Sequence, residues 1–191
     1  MRASDADSLH SKVAAVTLGF WVMKIAATTL GETAGDLLSM TLNLGYVASS
    51  AILLTVFAGL LALQLSARRF HPVLFWSVVL ATSTAGTTMS DLLDRTLGLG
   101  YATGASLLAG CLALVLLAWR MSEKSISVSN IASRRAEGFY WTAVLFSNTL
   151  GTALGDFLAD DSGLGFTGGA LLIGSLIALT ALASRIKGIN R

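Results

Sequence analysis

The sequence predicts an all-α integral membrane protein of six helices, and three observations carry that expectation. Hydrophobic residues make up 54% of the 191 residues, charged residues only 13%, and there is a single proline, a composition poorly suited to a soluble domain of this length. Six stretches approach or exceed the roughly 20 apolar residues that cross a bilayer: 13–39, 44–66, 72–95, 99–120, 139–159 and 165–185. One pattern recurs three times along the chain.

Taken in order, the first stretch is longer than a signal-peptide core, contains Lys24, Glu32 and Asp36, and is copied twice downstream, so it is expected to be a retained helix rather than a cleaved leader. The second stretch is almost purely Leu, Ala, Val and Gly. Arg68 and Arg69 separate it from the third, and the fourth carries the lone Cys111 among Leu, Ala and Val, which excludes an internal disulfide or a multi-cysteine metal site. Residues 121–138, MSEKSISVSNIASRRAEG, form the one sizeable polar segment and are expected to be a cytoplasmic connector. The fifth and sixth stretches repeat the first pair. Repeat one is assigned to 13–66, repeat two to 70–120 and repeat three to 139–187, within one membrane domain spanning 1–191.

The copies align without gaps from Phe20, Phe75 and Tyr140, as FWVMKIAATTLGETAGDLLSMTLNLGY, FWSVVLATSTAGTTMSDLLDRTLGLGY and YWTAVLFSNTLGTALGDFLADDSGLGF. Among the positions identical in all three are Trp21, Trp76 and Trp141; Thr29, Thr84 and Thr149; Gly31, Gly86 and Gly151; Asp36, Asp91 and Asp156. A Leu-Gly pair closes each copy. Because each unit holds two spans, the repeats enter from the same side and are related by an axis along the membrane normal. The expectation is a pseudo-threefold bundle with polar odd helices inward and apolar even helices as the lipid-facing wall.

Basic residues fall at Arg2 and Lys12, Arg68 and Arg69, Arg120 to Arg135, and Arg185, Lys187 and Arg191; the excess of Lys and Arg on cytoplasmic loops therefore places both termini inside. The tryptophans are expected at the inner interface. At about 1.5 Å per residue the threonines lie roughly 12 Å deeper and the aspartates roughly 22 Å deeper. In the first copy Lys24, Thr28, Glu32 and Asp36 fall four apart on one helix face; the equivalents are Val79, Ser83, Thr87, Asp91 and Val144, Asn148, Thr152, Asp156. A charge near the bilayer centre costs about 2.5 kcal/mol or more, so this face must meet protein or water.

Hydroxyl and carboxylate oxygens converging from three helices would suit a hard divalent cation such as Mn²⁺, Mg²⁺ or Ca²⁺, with Glu32, Asp36, Asp91 and Asp156 as metal ligands. Thr29, Thr84, Thr149 and Lys24 are candidates to bind the ion or carry protons beside them. Other readings stay open: Lys24 and Glu32 could be internal ion pairs, the aspartates could cap the even helices, and the glycines could serve close packing alone. His10 and His71 lie near predicted helix ends, which disfavours a buried zinc or haem site. No phosphate loop, nucleophile elbow or HExxH pattern is present, so no enzyme is expected, and the formal charge of +2 gives no basis for nucleic-acid binding.

The strings FW…K…ATTLGETAGDLL and YW…LGTALGDFLA resemble the bacterial membrane-anchored proteins built from a two-helix repeat of unknown function, the DUF347 type. Lys24, Gly31, Glu32, Thr33 and Asp36 match its first-repeat pattern, and Gly151, Thr152, Gly155 and Asp156 a later one. The resemblance implies a multi-pass protein of the bacterial inner membrane and supplies no activity. Typical members carry four repeats, so three units here either close alone or share a flank with another subunit in a symmetric oligomer. ETAGD also looks loosely like the Glu-Gly-Asp motifs of some cation exporters. The functional expectation is a secondary transporter or exporter of a divalent metal cation, with a proton or small-cation channel and a non-transporting scaffold as alternatives. Its partners would be the lipid bilayer, the transported ion and further copies of the chain, with no resident cofactor.

Overall fold

The computed structural model describes residues 13–185 apart from 15, 127–130 and 132. Arg2, His10, Lys12, Lys187 and Arg191, used above for topology and metal reasoning, lie outside the described residues. The described residues form six α-helices and no strand: α1 (Leu18–Asp36), α2 (Gly45–Ser66), α3 (Pro72–Asp91), α4 (Tyr101–Glu123), α5 (Arg134–Asp156) and α6 (Gly165–Arg185). The polar segment expected at 121–138 is shortened from both ends, because α4 runs to Glu123 and α5 begins at Arg134.

Local chemistry sets these boundaries. Thr17 and Ser133 cap α1 and α5 by accepting the amides of Phe20 at 3.2 Å and Ala136 at 2.9 Å, and Pro72 opens α3 where a missing N–H costs nothing. Each odd helix then passes straight from its repeated aspartate into a single π turn, at Leu37–Thr41, Leu92–Thr96 and Phe157–Asp161. The following turns need left-handed backbone at two equivalent positions: Asn43, Gly98 and Gly163, then Gly45, Gly100 and Gly165. That need explains the glycine of the Leu-Gly pair, since glycine adopts positive φ without a Cβ clash.

Four helical stretches are long and apolar enough to cross a membrane: Gly45–Ser66, Pro72–Thr96, Tyr101–Glu123 and Gly165–Ala183. α1 and α5 reach 19 and 23 residues but carry Lys24, Glu32 and Asp36, and Arg134, Arg135, Glu137 and Asp156, so their sequences are less apolar than those of the other four. Burial differs sharply between spans: 67% of the α3 stretch lies inside the protein, against 17% for α2, 22% for α4 and 6% for α6. The centre is α3, which packs against α1, α2 and α5.

The repeat shows in the packing. α2 lies along α3, and α4 lies along α5, so each of these two even helices covers the first helix of the following unit rather than its own partner. α2 buries Phe57 against Phe75, Val78 and Ala85 of α3 and Trp141 of α5, and its far end is fixed where Gln64 Nε2 donates to Glu137 Oε1 at 3.0 Å. α6 packs chiefly against the π turn that precedes it. The three tryptophans do not share one interfacial role as expected: Trp21 is 55% exposed, whereas Trp141 is fully buried, its ring 5.3 Å from that of Phe75. The shared residue is placed by what the neighbouring unit puts over it.

Candidate functional site

The odd helices meet along seams built from the same repeated residues. At Gly31 an added Cβ would stand 2.5 Å from Ser83 Cβ, and at Gly86 one would stand 3.0 Å from the backbone nitrogen of Thr149. Glycine is therefore required where α1 meets α3 and where α3 meets α5. Two of the repeated threonines, Thr84 and Thr149, belong to these seams, beside Gly31 and Gly86. Thr84 and Thr149 are buried and donate to carbonyls of their own helices, Leu80 at 2.8 Å and Leu145 at 2.9 Å, while Thr29 is exposed. This corrects the expectation that all three threonines face a common axis beside the carboxylates.

The carboxylates do converge. Glu32 and Asp36 of α1, Asp91 of α3 and Asp156 of α5 line one cavity of about 340 Å³, together with Thr87, Thr152 and Arg95. Positions 32, 87 and 152 are equivalent in the repeat, as are 36, 91 and 156, so the cavity is lined by two sets of repeat-equivalent residues. Arg95 Nε is 2.8 Å from Asp91 Oδ1, and Arg95 Nη2 is 3.6 Å from Asp156 Oδ2; the hydroxyls of Thr87 and Thr152 are 3.4 Å apart. Four carboxylates thus face one guanidinium. The π turns begin immediately after the three aspartates, and single π turns inside helices are frequent at functional sites.

Among the described residues no three acidic, histidine or cysteine side chains stand close enough to hold a metal ion between them. The four proposed ligands share a cavity without forming a compact coordination shell. Nor does a repeated aspartate cap α2 or α4, which begin after Leu44 and Gly100 without a side-chain capping bond. The acid beside the start of α4 is instead the unrepeated Asp94, which accepts from Ser90 Oγ at 3.3 Å and lies so close to Gly104 that no Cβ would fit there.

Lys24 stands apart from the carboxylates. Its Nζ donates to Asn148 Oδ1 at 3.3 Å, and Asn148 Nδ2 donates to Thr82 Oγ1 at 3.0 Å, a polar layer joining all three odd helices. Lys24 also lines a separate groove of about 350 Å³ with Leu112, Trp119, Tyr140 and Val144. Arg95, which completes the carboxylate cavity, is not among the residues the sequence singles out; its position four residues after Asp91 is the signal that could have marked it.

Three segments, 19–70, 74–125 and 139–188, match the family described as Repeat of Unknown Function (DUF347). No curated protein and no solved structure matches the chain.

Proposed function

We propose that this chain, which belongs to the family described as Repeat of Unknown Function (DUF347), is a membrane-embedded transporter of small cations whose binding site is the carboxylate cavity. One observation carries this reading: Glu32, Asp36, Asp91 and Asp156 come from three helices to line a single cavity against one arginine. Four acids gathered at membrane depth, with Asp91 buried and Asp36 and Asp156 half-buried, are costly, and a mobile cation would offset that cost. Without three acids in ligating reach, the cargo is taken up with part of its water shell, as suits a strongly hydrated divalent ion such as Mn²⁺ or Mg²⁺. Arg95 serves as the internal cation that holds Asp91 and Asp156 when the site is empty and yields them when cargo enters. The Lys24–Asn148–Thr82 layer is a positively charged barrier on the inner side.

In this reading all six helices span a bacterial inner membrane, the tryptophan-bearing ends of the odd helices and both termini face the cytoplasm, and the aspartates lie toward the outside. No enzymatic role is assigned. The test is ion flux into proteoliposomes across Mn²⁺, Mg²⁺, Ca²⁺, K⁺ and H⁺, comparing the wild type with Glu32→Gln and Asp156→Asn. Uptake of one cation, reduced about tenfold or more by either substitution, is expected, because the number of charged oxygens sets cation affinity over orders of magnitude. Folded protein that moves none of these ions would overturn the proposal.

A further inference from the structure

The repeat makes the same contact twice within this chain and leaves both halves of a third instance uncovered. α2 begins against its own π turn and the next unit's π turn, then runs along α3; α4 begins against its own and the third π turn, then runs along α5. By the same progression α6 should run along α1 and begin against the π turn at Leu37–Thr41. It packs there with neither.

Equivalent residues expose the gap. Phe57 on α2 is 7% exposed, while its counterpart on α6, Ile177, is 63% exposed. On the receiving side Val78 of α3 is fully buried and Ala143 of α5 is 9% exposed, but their counterpart on α1, Met23, is 48% exposed. The α1–α3 face that would receive α6 is an apolar groove of about 470 Å³ lined by Met23, Ala27, Leu30, Val73, Trp76 and Leu80. The equivalent face of the next pair is the surface α2 occupies, with Val78, Ala85, Trp141 and Leu145 packed around Phe57.

The same side of the molecule has an open seam. Gly31 and Gly86 are pressed against the next odd helix, but nothing lies within 4 Å of a Cβ built at Gly151 or at Gly155. α1 and α5 do not pack along their length and are joined by the hydrogen bond of Lys24 to Asn148. Gly151 and Gly155 line the carboxylate cavity, so the unsealed part of this seam is the cavity's side wall.

We propose that α6 of the same chain docks in the α1–α3 groove, crossing α1 and drawing Gly151 of α5 toward Thr28 and Thr29, so that the third seam closes over the carboxylate cavity. The described arrangement is then the open form. α6 is the occupant because its path repeats those of α2 and α4, and because Ile173, Ile177 and Leu179 are already exposed and apolar. The flux consequence rests on the transport reading; the docking itself does not.

The test is a Met23→Cys/Ile177→Cys pair in a Cys111→Ala background, oxidised with copper phenanthroline in native membranes, beside Phe57→Cys/Val78→Cys, the equivalent pair in the packed unit. Both Met23 and Ile177 are largely exposed, so folding is preserved. A disulfide within single chains, with flux lost on oxidation and regained on reduction, is expected. A disulfide within single chains in protein that never transports any ion supports the docking and removes the transport reading alone. No disulfide while the Phe57/Val78 pair links, or links only between chains, would overturn the proposal in favour of lipid or a second copy's helix in the groove.

Discussion

The seam between α1 and α3 and the seam between α5 and α1 draw on the same repeated positions, yet one is sealed and the other is not. At the first, Gly31 admits Ser83 and Thr84 with no room for a side chain; at the second, the equivalent Gly151 meets nothing. The six acidic and hydroxyl positions that line the cavity are likewise two sets of three repeat equivalents, and they lie together because two seams hold the three odd helices beside one cavity. A repeated residue therefore has no fixed role in this protein. Its role depends on which helices of the other units are packed over it: Trp141 is covered by residues of the two preceding units, while Trp21 is left exposed.

The largest effect expected from that difference is at tryptophan. Trp141→Ala removes a fully buried ring and should cost about 3–5 kcal/mol, whereas Trp21→Ala, at a 55% exposed ring, should cost under about 1 kcal/mol. Thermal unfolding in detergent compares the two; equal losses would mean that Trp21 is covered in the native membrane. At the glycines, Gly31→Leu forces a side chain into Ser83 and should cost about 3 kcal/mol. Gly151→Leu should leave stability within about 0.5 kcal/mol of wild type while slowing any transport step that needs the third seam closed. Equal destabilisation at both glycines would show that the third seam is packed in solution.

At Arg95 the effects on stability and on binding separate. The guanidinium is 42% exposed beside an Asp91 that is 5% exposed, so Arg95→Gln should change stability by only about 1 kcal/mol. Its effect on binding should be larger and opposite in sign: with the internal cation gone, the four carboxylates should hold Mn²⁺ more tightly, as calorimetry on the purified protein would detect. Weaker binding would assign Arg95 to shaping the cavity rather than competing for it.

Much of the architecture was legible in the residues. The copies beginning at Phe20, Phe75 and Tyr140 fixed the number of units, the aspartates marked the polar face, and the Leu-Gly pairs marked turns whose backbone requires glycine. Glu32, Asp36, Asp91 and Asp156 line one cavity; four-residue spacing puts Glu32 and Asp36 on one helix face, and the repeat carries the same position to Asp91 and Asp156. The threonines were misplaced for a related reason: periodicity gives the angle around one helix but not which neighbour occupies it, and Thr84 and Thr149 point into a seam. Trp141 was misplaced because an interfacial ring and a core ring have the same sequence context. Arg95 was overlooked because it occurs in one copy only.

By itself, then, the sequence determined the helices, the three units and the acidic stripe, since helix periodicity, backbone φ preferences and apolar length are properties of short stretches of chain. Only the tertiary structure decided that even helices cover the following unit, that a guanidinium sits among the aspartates, and that one seam of three stands open. Those depend on contacts between residues far apart in the chain, where backbone separation and packing decide which of several equivalent surfaces is covered.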